Sequence, residues 1–157
     1  MKYHAASFGD FRCGHCGNYV STVQMLSGVN NRNHCPYCLW SRHLDLYSAG
    51  DRLSACKGQM KPIGLTMKRS RNKYRVKSRG ELMLIHECVE CGGLSINRIA
   101  ADDDPDSILD AFFHAQKLGD QIRVKCREQN IMVLTDSEVV CRQLFGQNGK
   151  IPSLSWA

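Results

Sequence analysis

FRCGHCGNYVS, from Phe11 to Ser21, and RNHCPYCLWSRHLD, from Arg32 to Asp45, decide how this chain is read. Each holds a Cys-x-x-Cys turn, Cys13 with Cys16 and Cys35 with Cys38, and eighteen residues separate the two pairs. That spacing belongs to a four-cysteine metal module. A two-residue gap lets a tight turn aim two sulfurs, and the backbone N–H groups that follow, at one ion. Gly14 and Gly17 relieve the steric strain of the first turn. Two such turns facing each other give tetrahedral sulfur coordination, which suits zinc, with iron the lesser alternative. CGHC also occurs as a redox dithiol. That chemistry needs a helix to begin at the first cysteine, and GNYVS reads as a strand instead.

Composition explains why a metal is called for. Of 157 residues, 43% are apolar but only 8% aromatic, and long apolar runs are scarce before residue 80. A region short of core material needs a staple. The opening residues, MKYHAASFGDFRCGHC, contain no apolar stretch of the signal-peptide or membrane-spanning kind, so a cytoplasmic, reducing compartment and no membrane partner are expected. In such a compartment nine cysteines, an odd number, read as metal ligands and core thiols rather than disulfides.

A third turn, Cys88 and Cys91 in HECVECGG, follows an apolar run and ends in glycines. Cys56 is the best remaining sulfur partner. A structural site takes four donors, and two histidines compete for the fourth place. His43 comes from a separate segment and would tie the two halves of the chain together; it is the preferred ligand. His86 stands two residues before Cys88, on the same face of a strand, and is the alternative. Two zinc ions are therefore expected. Cys126 and Cys141 lie on apolar stripes with no paired cysteine nearby and are expected as core thiols.

The net charge of +6 is unevenly placed. Between Asp51 and Glu81 there are ten Lys or Arg residues and no acid; the other 11 basic residues face 15 acidic ones, −4 for the rest of the chain. Such polarity points to an anionic partner. The densest part is KRSRNKYRVKSR, in which Lys68, Arg69, Arg71, Lys73, Tyr74, Arg75, Lys77 and Arg79 are the candidate nucleic-acid contacts. Lys and Arg neutralise phosphates and release counterions, and Tyr74 can stack on an unpaired base. No helix carries this charge, so RNA is favoured over duplex DNA.

Residues 60 to 99 read as strands: MKPIGLTMKRS is partly alternating, ELMLIHEC is a buried apolar run, and LSINRIA alternates. The basic cluster falls in the turn or hairpin between the first two. From Ala100 the character changes. Asp102, Asp103 and Asp104 supply a helix cap and first-turn acids, and Pro105 suits the first helical position. A helical stripe of Ile108, Leu109, Phe112 and Phe113 runs toward a stop at Gly119. Thr135 with Glu138 fits a capping box for another helix that Gly146 ends. IRVKCREQNIMVL, between them, reads either way. The class is α+β, a β region with two metal sites followed by a short helical C-terminal segment.

Several of these stretches together resemble the RNHCP domain family, named for a run of five residues seen here from Arg32 to Pro36. The further likenesses are Gly50–Arg52, Cys56, the MKPIG stretch, IHECVECG, and the NRIAADDD run to Asp104. The resemblance implies a small zinc-ribbon-like bacterial domain over residues 8–104. It implies no particular reaction, and it supports His43 and His86 equally. Residues 105–146 are then a helical extension packed on that domain, and 147–157 a loose tail. The function expected is a non-enzymatic, ribosome-associated zinc-binding module that binds RNA through the basic hairpin. An alternative is a metal-dependent enzyme acting on nucleic acid, if Cys56, Cys88 and Cys91 leave a fourth position for water; no catalytic residue is assigned. Another is a protein-interaction adaptor using Phe112, Phe113 and Trp156, although the helical stripe favours a core role for both phenylalanines. The sequence does not give the oligomeric state.

Overall fold

The computed structural model describes residues 9–68 and 80–146. Two short strands, β1 (Phe11–Arg12) and β2 (Tyr19–Val20), pair antiparallel around the first cysteine turn. A four-residue helix, α1 (Gln24–Ser27), follows and ends at Gly28, whose φ of 70° lets the chain turn back. The main sheet is antiparallel throughout and has the order β3 (Ser41–Arg42), β4 (Gln59–Lys68), β5 (Glu81–Cys88), β6 (Leu94–Arg98). Three helices close the fold: α2 (Pro105–Ala115), α3 (Asp120–Glu128) and α4 (Ser137–Phe145). The result is mixed helix and sheet, with the cysteine turns in the strand region and the helices at the C-terminal side.

The sheet forms where the sequence alternates or runs apolar, and its two faces bury different clusters. On one, Leu65, Leu82 and Leu84 pack with Leu39, Ile108, Leu109, Phe112 and Val140. On the other, Ile63 and Ile85 pack with Cys126 and Ile131. Burying side chains of this size contributes about 1.5–3 kcal/mol each. A register shift between Pro62 and Gly64 bends β4, and Gly64 is where helix and strand come closest. A Cβ added there would sit 2.9 Å from the Cβ of Ala115 on α2, which is why this position accepts no side chain.

The helical half follows the sequence reading at the start of α2 and departs from it at Gly119 and at the cap of α4. Asp104 caps α2, accepting from the Ser107 N–H at 3.0 Å. Gly119 does not stop α2, which ends at Ala115, but is the N-cap of α3. That helix resolves the ambiguous IRVKCREQ stretch, because Ile122 and Cys126 fall one turn apart and both pack into the second cluster. Asp136, not Thr135, caps α4 through the Glu138 N–H at 2.9 Å. A carboxylate is the stronger acceptor for an orphan N–H, so the cap moves by one residue and no reciprocal box forms, Val139 standing at the third helical position. Cys126 and Cys141 are buried, as expected. Phe112 is a core residue and Phe113 packs against the same cluster, whereas Trp156 lies outside the described residues. No helix among the described residues is long and apolar enough to cross a membrane.

A buried ionic network joins the start of the main sheet to the loop before α2. The Arg32 guanidinium donates to Asp103 at 3.1 Å, to Asp102 at 2.8 Å and to the His34 carbonyl. Asp103 also accepts from His34 Nε2 at 2.7 Å and from the Ala100 N–H at 2.8 Å. Neither the Arg32 nor the Asp103 side chain is exposed, while that of Asp102 is 35% exposed. Removing one partner of a buried pair strands the other. In metal-saturated protein, Asp103→Ala should therefore lower the unfolding free energy by about 3–5 kcal/mol. Asp102→Ala should lower it by about 1 kcal/mol or less. Chemical denaturation of the two variants checks the contrast; equal losses would mean that the buried partner has no special role.

Candidate metal centres

The cysteine turns work because the residue after the second cysteine of each pair adopts a left-handed backbone. Gly17, Leu39 and Gly92 have φ of 76°, 63° and 72°. Their N–H groups donate to the carbonyls of Cys13, Cys35 and Cys88, each at 2.9 Å. Lys57, after the isolated Cys56, repeats the conformation with φ of 51°. Glycine accepts this geometry freely, but a residue with a side chain is strained by roughly 1–2 kcal/mol. Leu39 is held there by its place in the first core cluster.

These turns bring eight donors into two groups, Cys13, Cys16, Cys35 and Cys38 in one, and His43, Cys56, Cys88 and Cys91 in the other. Within each group all four ligand atoms lie within 4.8 Å of one another. Cys13 and Cys38 sulfurs are 3.5 Å apart, Cys16 and Cys35 3.6 Å, Cys56 and Cys88 3.6 Å, and Cys91 lies 3.3 Å from His43 Nδ1. Tetrahedral zinc with sulfur at its usual bond length places sulfurs about 3.8 Å apart. The donor types and spacings thus fit two zinc ions, one with four sulfurs and one with three sulfurs and an imidazole.

Local electrostatics point the same way. Burial pushes the Cys35 thiol up to about 11, and it pushes Cys38 up as well. Burial also acts against ionisation of Cys16, but the backbone and side-chain N–H groups of Asn18 outweigh it and bring that thiol down to about 7. At Cys88 the backbone N–H groups of Cys91 and Glu90 offset burial in the same manner, again to about 7. Each group thus has a thiol ready to ionise, and in the four-cysteine group two others are held protonated until a cation arrives. More N–H groups face the sulfurs of Cys13 and Cys91, from His15 at 3.4 Å and Gly93 at 3.4 Å.

Of the two candidate histidines, the structure brings His43 to the second group and takes His86 elsewhere. His43 sits just past β3, with its N–H on the Gly58 carbonyl at 2.8 Å and its carbonyl accepting from Lys57. His86 is fully buried on β5. Its Nε2–H donates to the Leu39 carbonyl at 2.6 Å, and its Nδ1 accepts from Asn97 Nδ2 at 2.9 Å. Burial, with His34 nearby, pushes this imidazole down to about 3, so it is neutral. Its work is to hold the strained Leu39 turn from behind, a role that no spacing rule signals.

The 44–53 loop between His43 and Cys56 is organised by two aspartates. Asp51 accepts from the N–H groups of Leu46, Tyr47, Ser48 and Leu53, which hold its carboxyl well below the usual carboxylate range. Asp45 accepts from Gly50, Arg52 and Asn33. At the other turn, Lys125 of α3 donates to the Gly92 carbonyl. Of the candidate nucleic-acid contacts, Lys68 is exposed at the end of β4, while Arg69, Arg71, Lys73, Tyr74, Arg75, Lys77 and Arg79 lie outside the described residues.

Purified protein is expected to carry two zinc ions, and His43→Ala to weaken retention of one of them against a chromophoric chelator. His86→Ala should retain both ions but unfold at lower denaturant, because it empties a buried site. The reverse pattern would make His86 the ligand. Acidification should weaken zinc retention, since protons compete with the ion for the thiolates.

The RNHCP domain matches residues 8–109, more than half of the chain. No curated protein and no solved structure matches it. The match takes in both donor groups and the network built on Arg32 and His34, and this chain belongs to the RNHCP domain family.

Proposed function

We propose that this zinc-binding protein is an RNA-binding module, without enzymatic activity of its own, and that it works on structured RNA such as the ribosome. In this reading Cys13, Cys16, Cys35 and Cys38 hold one zinc ion, and His43, Cys56, Cys88 and Cys91 the other. The observation that carries it is the position of the basic run on the sheet. β4 and β5 pair from Met60 with Cys88 to Lys68 with Glu81. Cys88 belongs to the second donor group, so the metal clamps one end of this hairpin. The connection from Lys68 to Arg79, with its seven basic residues, leaves from the other end. A rigid stem that presents concentrated positive charge is suited to a polyanion.

Two observations weigh against the other readings. His43 Nδ1 supplies a fourth donor beside Cys91, in the place a water-activating zinc keeps open. Phe112 and Phe113 belong to the core rather than to a docking face. A reducing, cytoplasmic compartment suits nine free thiols.

The test is binding of a labelled RNA across a salt series, for the natural chain and for a variant carrying Gln at Lys68, Arg69, Arg71 and Lys73. If all four contact phosphates, the slope of log affinity against log salt should fall by about 3, at roughly 0.7 per phosphate for single strands. An unchanged slope and affinity would place the RNA surface elsewhere or remove it.

A further inference from the structure

A cleft of about 420 Å³ has Cys13 of the first donor group on one wall and Lys57, next to Cys56 of the second, on another. Arg12 from β1, Arg42 from β3 and Lys57 from the Cys56 turn line it, and all three are exposed. Glu90 is the one carboxylate on the wall, so cations outnumber acids.

A second feature shares this wall. The rings of His15, inside the first Cys-x-x-Cys turn, and Trp40, after the second, stack at 4.1 Å with 4° between their planes. His15 is exposed and Trp40 half-buried. A flat exposed stack beside a patch of cations offers both things that an unpaired nucleotide presents, a π face and a phosphate. Arg42 also lines a longer groove of about 440 Å³, which includes Met60 and Lys68 from the two ends of β4. Arg42 is thus common to the cleft and to the groove whose lining includes Lys68, where the basic run begins.

We propose that this cleft binds single-stranded RNA, with a phosphodiester held by Arg12, Arg42 and Lys57 and a nucleobase continuing the His15–Trp40 stack. The proposal rests on the RNA reading above and adds to it a site that lies at the metal end of the hairpin. The stacked rings give the cleft a means of favouring an unpaired strand that the basic run alone does not have.

The experiment uses the full-length, zinc-loaded chain with Trp156→Phe, which leaves Trp40 as the sole tryptophan. Fluorescein-labelled single-stranded RNA of mixed sequence is titrated, following anisotropy for affinity and Trp40 emission for occupancy of the cleft. Binding should quench Trp40. Arg42→Gln with Lys57→Gln should abolish the quench and reduce the salt slope by about 1.4, two phosphate contacts at roughly 0.7 each. RNA binding that leaves Trp40 emission unmoved and is indifferent to the Arg42 and Lys57 substitutions would overturn the assignment, while leaving RNA binding by the basic run intact. No RNA binding at low salt would overturn both.

Discussion

Four sulfurs cannot approach to within hydrogen-bonding distance of one another as thiolates unless a cation sits among them. At 4 Å two unit charges repel by about 4 kcal/mol at an effective dielectric of 20. Cys35 and Cys38 accordingly stay protonated when only protein surrounds them, while Asn18 favours the charged form at Cys16. The first group is thus frustrated as a set of thiols and consistent as a set of metal ligands. The small strands β1 and β2 depend on that resolution. They pair through only two residue positions, and their cluster is Cys13, Val20 and Cys35, with Phe11 and Cys38 beside it. Most of that cluster is itself cysteine, so the metal and the core cannot be separated there.

The second constraint is the buried ionic network, and it explains why the family's defining run is more than a pair of ligand positions. Of Arg32, Asn33, His34, Cys35 and Pro36, only Cys35 belongs to a donor group. Arg32 and His34 converge on Asp103, seventy residues away in the chain, and Asn33 reaches Asp45. His86 completes the frame by holding the Leu39 carbonyl. Each of these groups is polar and buried, and each has its partner. A network of that kind fixes one arrangement of segments more sharply than apolar packing does, because any slip leaves a charge stranded. The first donor group is placed against the sheet by polar contacts, and the sheet against the helices by leucine and phenylalanine.

Residue spacing made the metal architecture legible before any coordinates. Cys-x-x-Cys is a local geometric statement, so the first group and the Cys88–Cys91 turn could be read directly. The choice between His43 and His86 could not, since it depends on which way an imidazole faces after β3, β4 and β5 have paired. The sequence placed β4, β5, β6 and α2 by periodicity, but α3 was hidden. Its stretch mixes polar residues with an apolar face only two residues deep, and the face shows only against Ile63 and Ile85. The cap of α4 slipped by a residue where adjacent side chains both offer oxygens. Asp102 and Asp103 look like capping residues and serve Arg32 instead, a long-range pairing that no local rule reports.

A zinc-organised half also leaves the surface free in a way that an apolar core would not. Ordering this many residues by burial alone would require apolar side chains on both sides of β1, β2 and β3, and little room would remain for exposed cations. With the ordering done by eight donors, Arg12, Arg42 and Lys57 can stand around one cleft, and a whole basic run can follow β4 without compromising the core. The exposed aromatic pair fits the same logic. Trp40 comes two residues after Cys38 and its ring stacks on His15, so the two cysteine turns place the pair together. The polarity of the chain, acidic after residue 99 and basic before it, then becomes a division of labour: the helical half buries the sheet, and the half ordered by the donor groups leaves Arg12, Arg42 and Lys57 exposed.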